Sequence, residues 1–257
     1  MHAASFEAGV LANLTEIEPI HLLTVQCPAG TPAPKAGQFY MLRAWAADEA
    51  PLLSRPISVH SYDAATGALV FMYEVKGVGT EKLAALTAGD VLLLTGPAGN
   101  GFPIAALAQC KTVALVGGGI GVAPLQQLAA ELSAKGVAVH FYGGFRTVTV
   151  GVEEITPLCE RVEVSTESGA FGYKGFVTDL LDVTLYDAIC TCGPEIMMQK
   201  VAGMAMDKNV PVYVSKEAKM ACGLGACLGC TCKSKNGGVS VCKDGPVFEG
   251  SVVYGID

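Results

Sequence analysis

Up to about Phe102 the apolar residues come in short runs, each closed by turn residues. Ile20–Val25, Phe39–Leu42, Ile57–Tyr62, Leu69–Glu74 and Val91–Thr95 read as strands. Pro28–Gly37, Asp63–Gly67 and Thr87–Asp90 between them carry Gly, Pro, Asp and Thr turn chemistry. Strands at that spacing predict an antiparallel β-barrel, with one short helix over Glu81–Leu86. From Lys111 the rhythm changes. Val113–Val116, Val137–Tyr142, Val162–Ser165 and Ala188–Cys192 read as strands, and Ala123–Lys135, Val177–Leu181 and Glu195–Asp207 as helical. This alternation predicts a parallel sheet with crossover helices. After Pro211 the helical pattern stops, and Gly and Cys dominate to the end. Three parts are expected: 1–103, 104–211 and 212–257.

Composition narrows the function. Of 257 residues 51% are hydrophobic, enough to bury a well-packed core. The net charge is −7 and Lys and Arg form no cluster, so nucleic-acid binding has no electrostatic footprint. Thr112–Leu132, the most apolar stretch, is broken by Gly117, Gly118, Gly119, Gly121 and Pro124 and makes a poor membrane span. Met1–Val10 lacks a secretory pattern, so a cytoplasmic protein is expected. Ten cysteines in that setting favour metal or redox chemistry over a disulfide framework. Cys27, Cys110 and Cys159 are scattered, whereas five crowd into the last segment.

Cys222, Cys227, Cys230 and Cys242 give the spacing C-x4-C-x2-C, then eleven residues, then C. Three thiolates on one tight loop with a fourth arriving from elsewhere is the plant-type [2Fe-2S] arrangement. Gly223, Gly225, Ala226 and Gly229 suit it, since they keep side chains off the inorganic sulfides and leave N–H groups to face sulfur. A four-cysteine structural zinc site is the competing reading, but such sites usually show two separated C-x2-C pairs. Cys232 could replace Cys230 only by turning the x2 arm into x4, so a non-ligand thiol is expected there.

Gly117-Gly118-Gly119-Ile120-Gly121 follows a strand and opens a helix. Such glycines let backbone approach a pyrophosphate at a helix N-terminus, although they also serve ordinary strand-to-helix turns. The spacing is not G-x-G-x-x-G. Cys192-Gly193-Pro194 repeats the geometry at a later strand end, where Cys192 either faces a nicotinamide or closes a turn as a small apolar residue.

Arg55-Pro56-Ile57-Ser58, Gly79-Thr80, the Gly117 turn and Cys192-Gly193-Pro194 occur in that order. Residues up to about 210 thereby resemble the ferredoxin-reductase flavoproteins. That resemblance implies that Arg55 pairs with the pyrophosphate of FAD, to whose oxygens it offers a planar fork, and that the Ser58 hydroxyl lies near flavin N5. It also runs Met72-Tyr73-Glu74 along the cofactor and assigns Gly79-Thr80 to phosphate contacts through backbone N–H groups. Without those motifs, a surface salt bridge would be the reading for Arg55.

Lys219–Cys230, Val241–Phe248 and Gly96-Pro97-Ala98-Gly99-Asn100-Gly101-Phe102 are similar to the electron-transfer subunits of dihydroorotate dehydrogenase B. The implied fold is β plus α/β: an FAD-binding antiparallel barrel (1–103), a ferredoxin-reductase-like NAD-binding α/β domain (104–211) and a small [2Fe-2S] domain (212–257). The implied cofactors are FAD, a [2Fe-2S] cluster and NAD as co-substrate, a pairing that converts hydride chemistry to single-electron transfer. The implied partner is an FMN-containing catalytic subunit that oxidises dihydroorotate for pyrimidine biosynthesis, in a heterotetramer of two of each; neither nucleic acid nor membrane is expected. Gly118, Gly119, Gly121, Cys192, Gly193 and Pro194 would serve NAD, and Arg146 could meet a 2′-phosphate, stack on adenine or face solvent. No general acid or base is expected, and His60, beside the flavin motif, reads as a strand or surface residue. A ferredoxin-NADP reductase or hydrogenase subunit, and a non-enzymatic redox sensor, are the rival readings.

Overall fold

The computed structural model describes residues 4–255. Its first sheet has seven antiparallel strands: β1 (Ala4–Ile17), β2 (Ile20–Gln26), β3 (Phe39–Arg43), β4 (Arg55–Ser58), β5 (Ser61–Asp63), β6 (Ala68–Glu74) and β7 (Val91–Ala98). The order β4-β3-β7-β1-β2-β6-β5 places β4 and β5 at opposite edges, although only Val59 and His60 separate them in sequence. Ser58 pairs with Phe39 of β3, Ser61 with Val70 of β6, and the His60 N–H already donates to the Val70 carbonyl. One bent strand thus serves both edges, and the sheet curls around Leu23, Tyr40, Leu42, Phe71 and Leu94. The single strand expected over Ile57–Tyr62 is therefore two, because the chain must bend to change partners. β1 has no counterpart among the predicted strands; register shifts between Val10 and Ala12 and between Thr15 and Ile17 break its two-residue rhythm. Helix α1 (Val78–Ala84) begins before Glu81 because the Thr80 hydroxyl accepts from the Lys76 and Gly77 N–H groups and fixes the first turn.

A short helix, α2 (Ile104–Leu107), leads into the second sheet. It comprises β8 (Thr112–Gly118), β9 (Ala138–Phe145), β10 (Arg161–Thr166), β11 (Tyr173–Lys174), β12 (Ala188–Cys192), β13 (Val212–Ser215) and β16 (Val247–Glu249) in the order β11-β10-β9-β8-β12-β13-β16. All of these pairings are parallel except β13 with β16. Helices α3 (Leu125–Ser133), α4 (Val152–Ile155) and α5 (Glu195–Asp207) link the strands. Alternation along β8 sorts its side chains: Val113 and Leu115 share a core with Leu125, Leu128 and Leu132 of α3, Ala114 and Val116 with Met198, Val201 and Ala202 of α5. Each of those wholly buried leucines contributes about 1.5–3 kcal/mol. The helix expected over Val177–Leu181 is only a 3-10 turn, Val177–Asp179, which the Asp179 carboxylate closes on the Phe176 N–H.

The second sheet does not end at residue 211. β13 and β16 both belong to it, so a boundary at Pro211 cuts these strands from their own sheet. Between them the chain leaves the sheet, carries the cysteines and forms the hairpin β14 (Thr231–Ser234) and β15 (Gly237–Ser240) before a last turn of helix, α6 (Gly250–Val253). Cys230, Val241 and Cys242 are buried with Phe39 and Met41 of the barrel and Phe248 of β16. All three parts therefore share continuous packing. Among the described residues no helix is long and apolar enough to cross a membrane.

Candidate functional site

A groove of about 460 Å³ opens where the barrel, the second sheet and the cysteine segment meet. Arg55, Pro56, Ile57 and Ser58 of β4 form one wall, and Met72, Tyr73 and Glu74 of β6 with Lys76–Val78 and Thr80 form another. Arg55 makes no ion pair among the described residues. Its guanidinium lies over the Trp45 ring at 5.8 Å, donates from Nη1 to the Leu53 carbonyl at 2.6 Å and rests on Gly79. A Cβ at Gly79 would fall 2.7 Å from Arg55 Cζ, so the missing side chain is what admits the guanidinium. The Thr80 hydroxyl and N–H are engaged inside the turn, both donating to the Gly77 carbonyl. Tyr73 points into the barrel, where it stacks on His21 and bonds Asn13, and Met72 is buried toward Val122 and Gly151. From Tyr73 the groove therefore receives mainly backbone.

The two turns meet at the carboxyl ends of β8 and β12, the point where the strand order reverses. A Cβ on Gly121 would lie 2.5 Å from the Cys192 carbonyl oxygen, and one on Gly118 would lie 2.6 Å from Pro194 Cδ. Gly193, at φ +148°, would bring its Cβ to 2.8 Å from Gly118 N. These glycines are thus required for the turns to touch. Gly119, at φ +54°, faces open space. Cys192 is buried, and burial pushes its thiol pKa up, so it remains neutral. Neither set of glycines lines the groove, but Ile120 between them and Ala123 and Pro124 just beyond do, none of which was expected at the site.

His60 is buried rather than at the surface, at 3% exposure. Its Nδ1 lies 2.9 Å from the Ala123 carbonyl oxygen and its Nε2 2.8 Å from Glu154 Oε2, joining the bent barrel strand to the start of α3 and to α4. That bond holds the Glu154 carboxyl below its ordinary range. Arg146 is exposed at the end of β9.

Lys216, Glu217, Ala218 and Met220 complete the groove and lead directly into Cys222. Cys222, Cys227 and Cys230 lie on one loop, and Cys242 returns to it with its N–H on Cys230 Sγ. Backbone N–H groups aim at sulfur: Leu224 to Cys222 and Gly229 to Cys227 at 3.4 Å, Gly225 to Cys242 at 3.1 Å, Cys242 to Cys230 at 3.4 Å. The donors at Cys222, Leu224 first, bring that thiol down to about 6, whereas burial takes Cys242 up to about 12. Gly223 and Gly225 have φ of +68° and +77°, and a Cβ on Gly223 would strike Met41 of β3 at 2.6 Å from Cγ. Among the described residues no three His, Cys, Asp or Glu groups gather as a single metal ion would need. Four thiols in the C-x4-C-x2-C…C spacing, with backbone N–H groups aimed at their sulfurs, suit a binuclear cluster better than one zinc ion. Cys232 stands apart from that loop; it lies on β14 near Lys216 and Glu195.

Residues 217–254 match the iron-sulfur cluster binding domain of dihydroorotate dehydrogenase B. The chain is 52% identical over 217 residues to the dihydroorotate dehydrogenase B (NAD(+)) electron transfer subunit of Clostridium acetobutylicum, covering 84% of this chain and 85% of that one. It is 43% identical over 247 residues to the same subunit of Clostridium perfringens, covering 95% and 96%. The chain belongs to this family of electron-transfer subunits. A solved structure, described as that of the NADH-dependent reduced ferredoxin-NADP oxidoreductase, superposes with a TM-score of 0.83 at 28% identity, over 96% of this chain and 89% of that one. The higher identity to the dihydroorotate dehydrogenase B subunits favours that reading over the ferredoxin-NADP reductase type. In this family member the groove has an arginine free of acidic partners and glycine-led backbone beside it, a donor set that fits a pyrophosphate-containing flavin.

Proposed function

We propose that this chain holds FAD in the groove beside Arg55, a [2Fe-2S] cluster on Cys222, Cys227, Cys230 and Cys242, and NAD+ at the turns of Gly118–Gly121 and Cys192–Pro194. It serves a separate FMN-containing subunit that oxidises dihydroorotate in cytoplasmic pyrimidine biosynthesis, as a heterotetramer with two of each subunit. FAD and the cluster together supply the exchange between hydride chemistry and single-electron transfer. Arg55 would meet the flavin pyrophosphate with its fork, and Ser58 would face the ring from the same strand. Ile57, Ile120, Ala123, Pro124 and Met220 give the groove apolar walls against which a flavin ring would pack. Gly119 would present its N–H to the nicotinamide dinucleotide from the open side of its turn.

One observation carries the reading: a single groove is lined at once by β4 and β6, by the start of α3 and by the residues entering Cys222. The test is an absorption spectrum of the anaerobically purified chain before and after NADH, with iron and sulfide analysis. Flavin bands near about 450 nm with a red shoulder, both bleached by NADH, are expected. A flavin spectrum without the shoulder, with zinc in place of iron, would overturn the relay.

A further inference from the structure

Gly96–Phe102 closes the barrel, yet none of its residues lines the groove or carries a sulfur ligand. Most of it packs on the barrel, but Gly99 and Asn100 also meet the segment that follows Cys242. Asn100 donates from Nδ2 to the carbonyls of Lys243 at 3.2 Å and Asp244 at 3.0 Å, and its backbone N–H donates to the Gly245 carbonyl at 2.6 Å. In return, the Val247 N–H donates to the Asn100 carbonyl at 3.4 Å. Gly99, at φ +72°, lets the two segments meet this closely, since a Cβ there would lie 2.6 Å from Pro246 Cδ. From the other side, Asp244 Oδ2 accepts from the Ser240 N–H at 2.7 Å, and the Lys243 and Asp244 N–H groups donate to the Ser240 carbonyl. Cys242 is thereby bracketed in a turn whose outer half is held by the barrel. Its own N–H reaches Cys230 Sγ, and its Sγ accepts from Gly225, so a shift of the turn moves the Cys242 sulfur and disturbs its bond to Cys230.

We propose that Asn100 is a positioning residue for Cys242, holding the fourth cluster ligand in place from the barrel. The inference rests on the cluster reading above. It gives the Gly96–Phe102 motif a role that flavin contacts do not. It also ties the cluster to the wall of the groove, because Ala98 at the end of β7 pairs with Phe39, which lines that groove.

The test uses the full chain purified anaerobically, as wild type, Asn100→Ala, Asn100→Asp and Gly99→Ala. Three readouts are compared: transfer of iron to a ferrous chelator, the electron paramagnetic resonance spectrum of the dithionite-reduced protein, and the urea midpoint. Loss of two amide hydrogen bonds should speed iron release by roughly tenfold in Asn100→Ala and broaden the resonance. Asn100→Asp should release iron faster still, because an ionised carboxylate offers only acceptors to two carbonyl oxygens. Gly99→Ala, which displaces the turn while keeping Asn100, should give the same signature and serves if Asn100→Asp does not fold. Wild-type release and resonance in all variants, with iron and sulfide present, would overturn this inference alone. Equal losses in Ala and Asp variants, tracking the urea midpoint, would also overturn it by reducing Asn100 to general support. A wild-type chain without iron and sulfide would overturn the cluster reading and this inference together.

Discussion

Gly79→Ala separates cofactor binding from stability. Gly79 lies in the first turn of α1 at a backbone angle alanine adopts freely, so the helix itself should gain about 0.5–1 kcal/mol. The new Cβ would sit 2.7 Å from Arg55 Cζ and 2.8 Å from Nη2, at the far end of a flexible side chain. The guanidinium should therefore move while the helix stays. Leaving the Trp45 face, 5.8 Å away, forfeits roughly 0.5–1 kcal/mol, so net stability should change by less than about 1 kcal/mol. Cofactor binding should change far more. A charge-assisted hydrogen bond to phosphate is worth about 1.5–3 kcal/mol, so FAD affinity should drop by roughly 10- to 150-fold. Trp45 is the chain's one tryptophan and stands under this arginine, so its quenching can follow FAD titration of the apo-protein, with a urea curve in parallel. Arg55→Lys should mimic the affinity loss, since an ammonium cannot fork. Wild-type affinity in Gly79→Ala would refute the argument, as would an affinity loss matched by a lowered urea midpoint.

Other outcomes follow from the same geometry. Since Glu154 is 39% exposed, Glu154→Ala should destabilise by only about 1–2 kcal/mol through loss of the partner of buried His60 Nε2, and Glu154→Gln by about 0.5–1 kcal/mol, because its amide still offers a neutral partner. The Glu154 pKa is lowered on folding, so its contribution is complete above its ordinary 4.5 and fades as pH falls below that. Urea midpoints of wild type and Glu154→Gln should accordingly converge in acid; a constant gap from pH 7 to 3 would exclude the pair as its source. Cys232→Ser should keep full iron and sulfide, whereas Cys242→Ser should lose the cluster; iron loss in the Cys232 variant would make it a ligand. Gly121→Ala forces a Cβ against the backbone of Cys192 and Gly193 and should slow flavin reduction by NADH at least tenfold while FAD content holds, as stopped-flow absorbance would show.

Where local chemistry decided the outcome, the sequence was readable. Ala188–Cys192 and Glu195–Asp207 have the bounds their patterns predict, because an unbroken apolar strand and an uninterrupted helical run leave the backbone little choice. β1 escaped because its bulges interrupt the alternation, and β13 and β16 because their partners lie far away in sequence among glycines and cysteines. Cysteine spacing marked the segment that follows the groove wall, and eight of the nine barrel residues expected at the flavin line the groove. Trp45, Pro124 and Lys216–Ala218 were illegible, since only folding brings them to the Arg55 wall. His60 keeps the strand place expected of it, but not the surface alternative, because its partners, Ala123 and Glu154, lie in another part of the chain.

The ladder between β13 and β16 sets Ser215 directly opposite Val247. Everything from 216 to 246 is therefore an excursion whose two ends stand side by side, as in a hairpin with a greatly enlarged loop. Closing so long a loop costs little more than closing a shorter one, since the entropy grows only with the logarithm of length. The redox segment thus has the layout of a cassette. It could be exchanged for another metal-binding loop through two neighbouring splice points without breaking a strand. The graft would have to cover Phe39 and Met41, which the native segment buries.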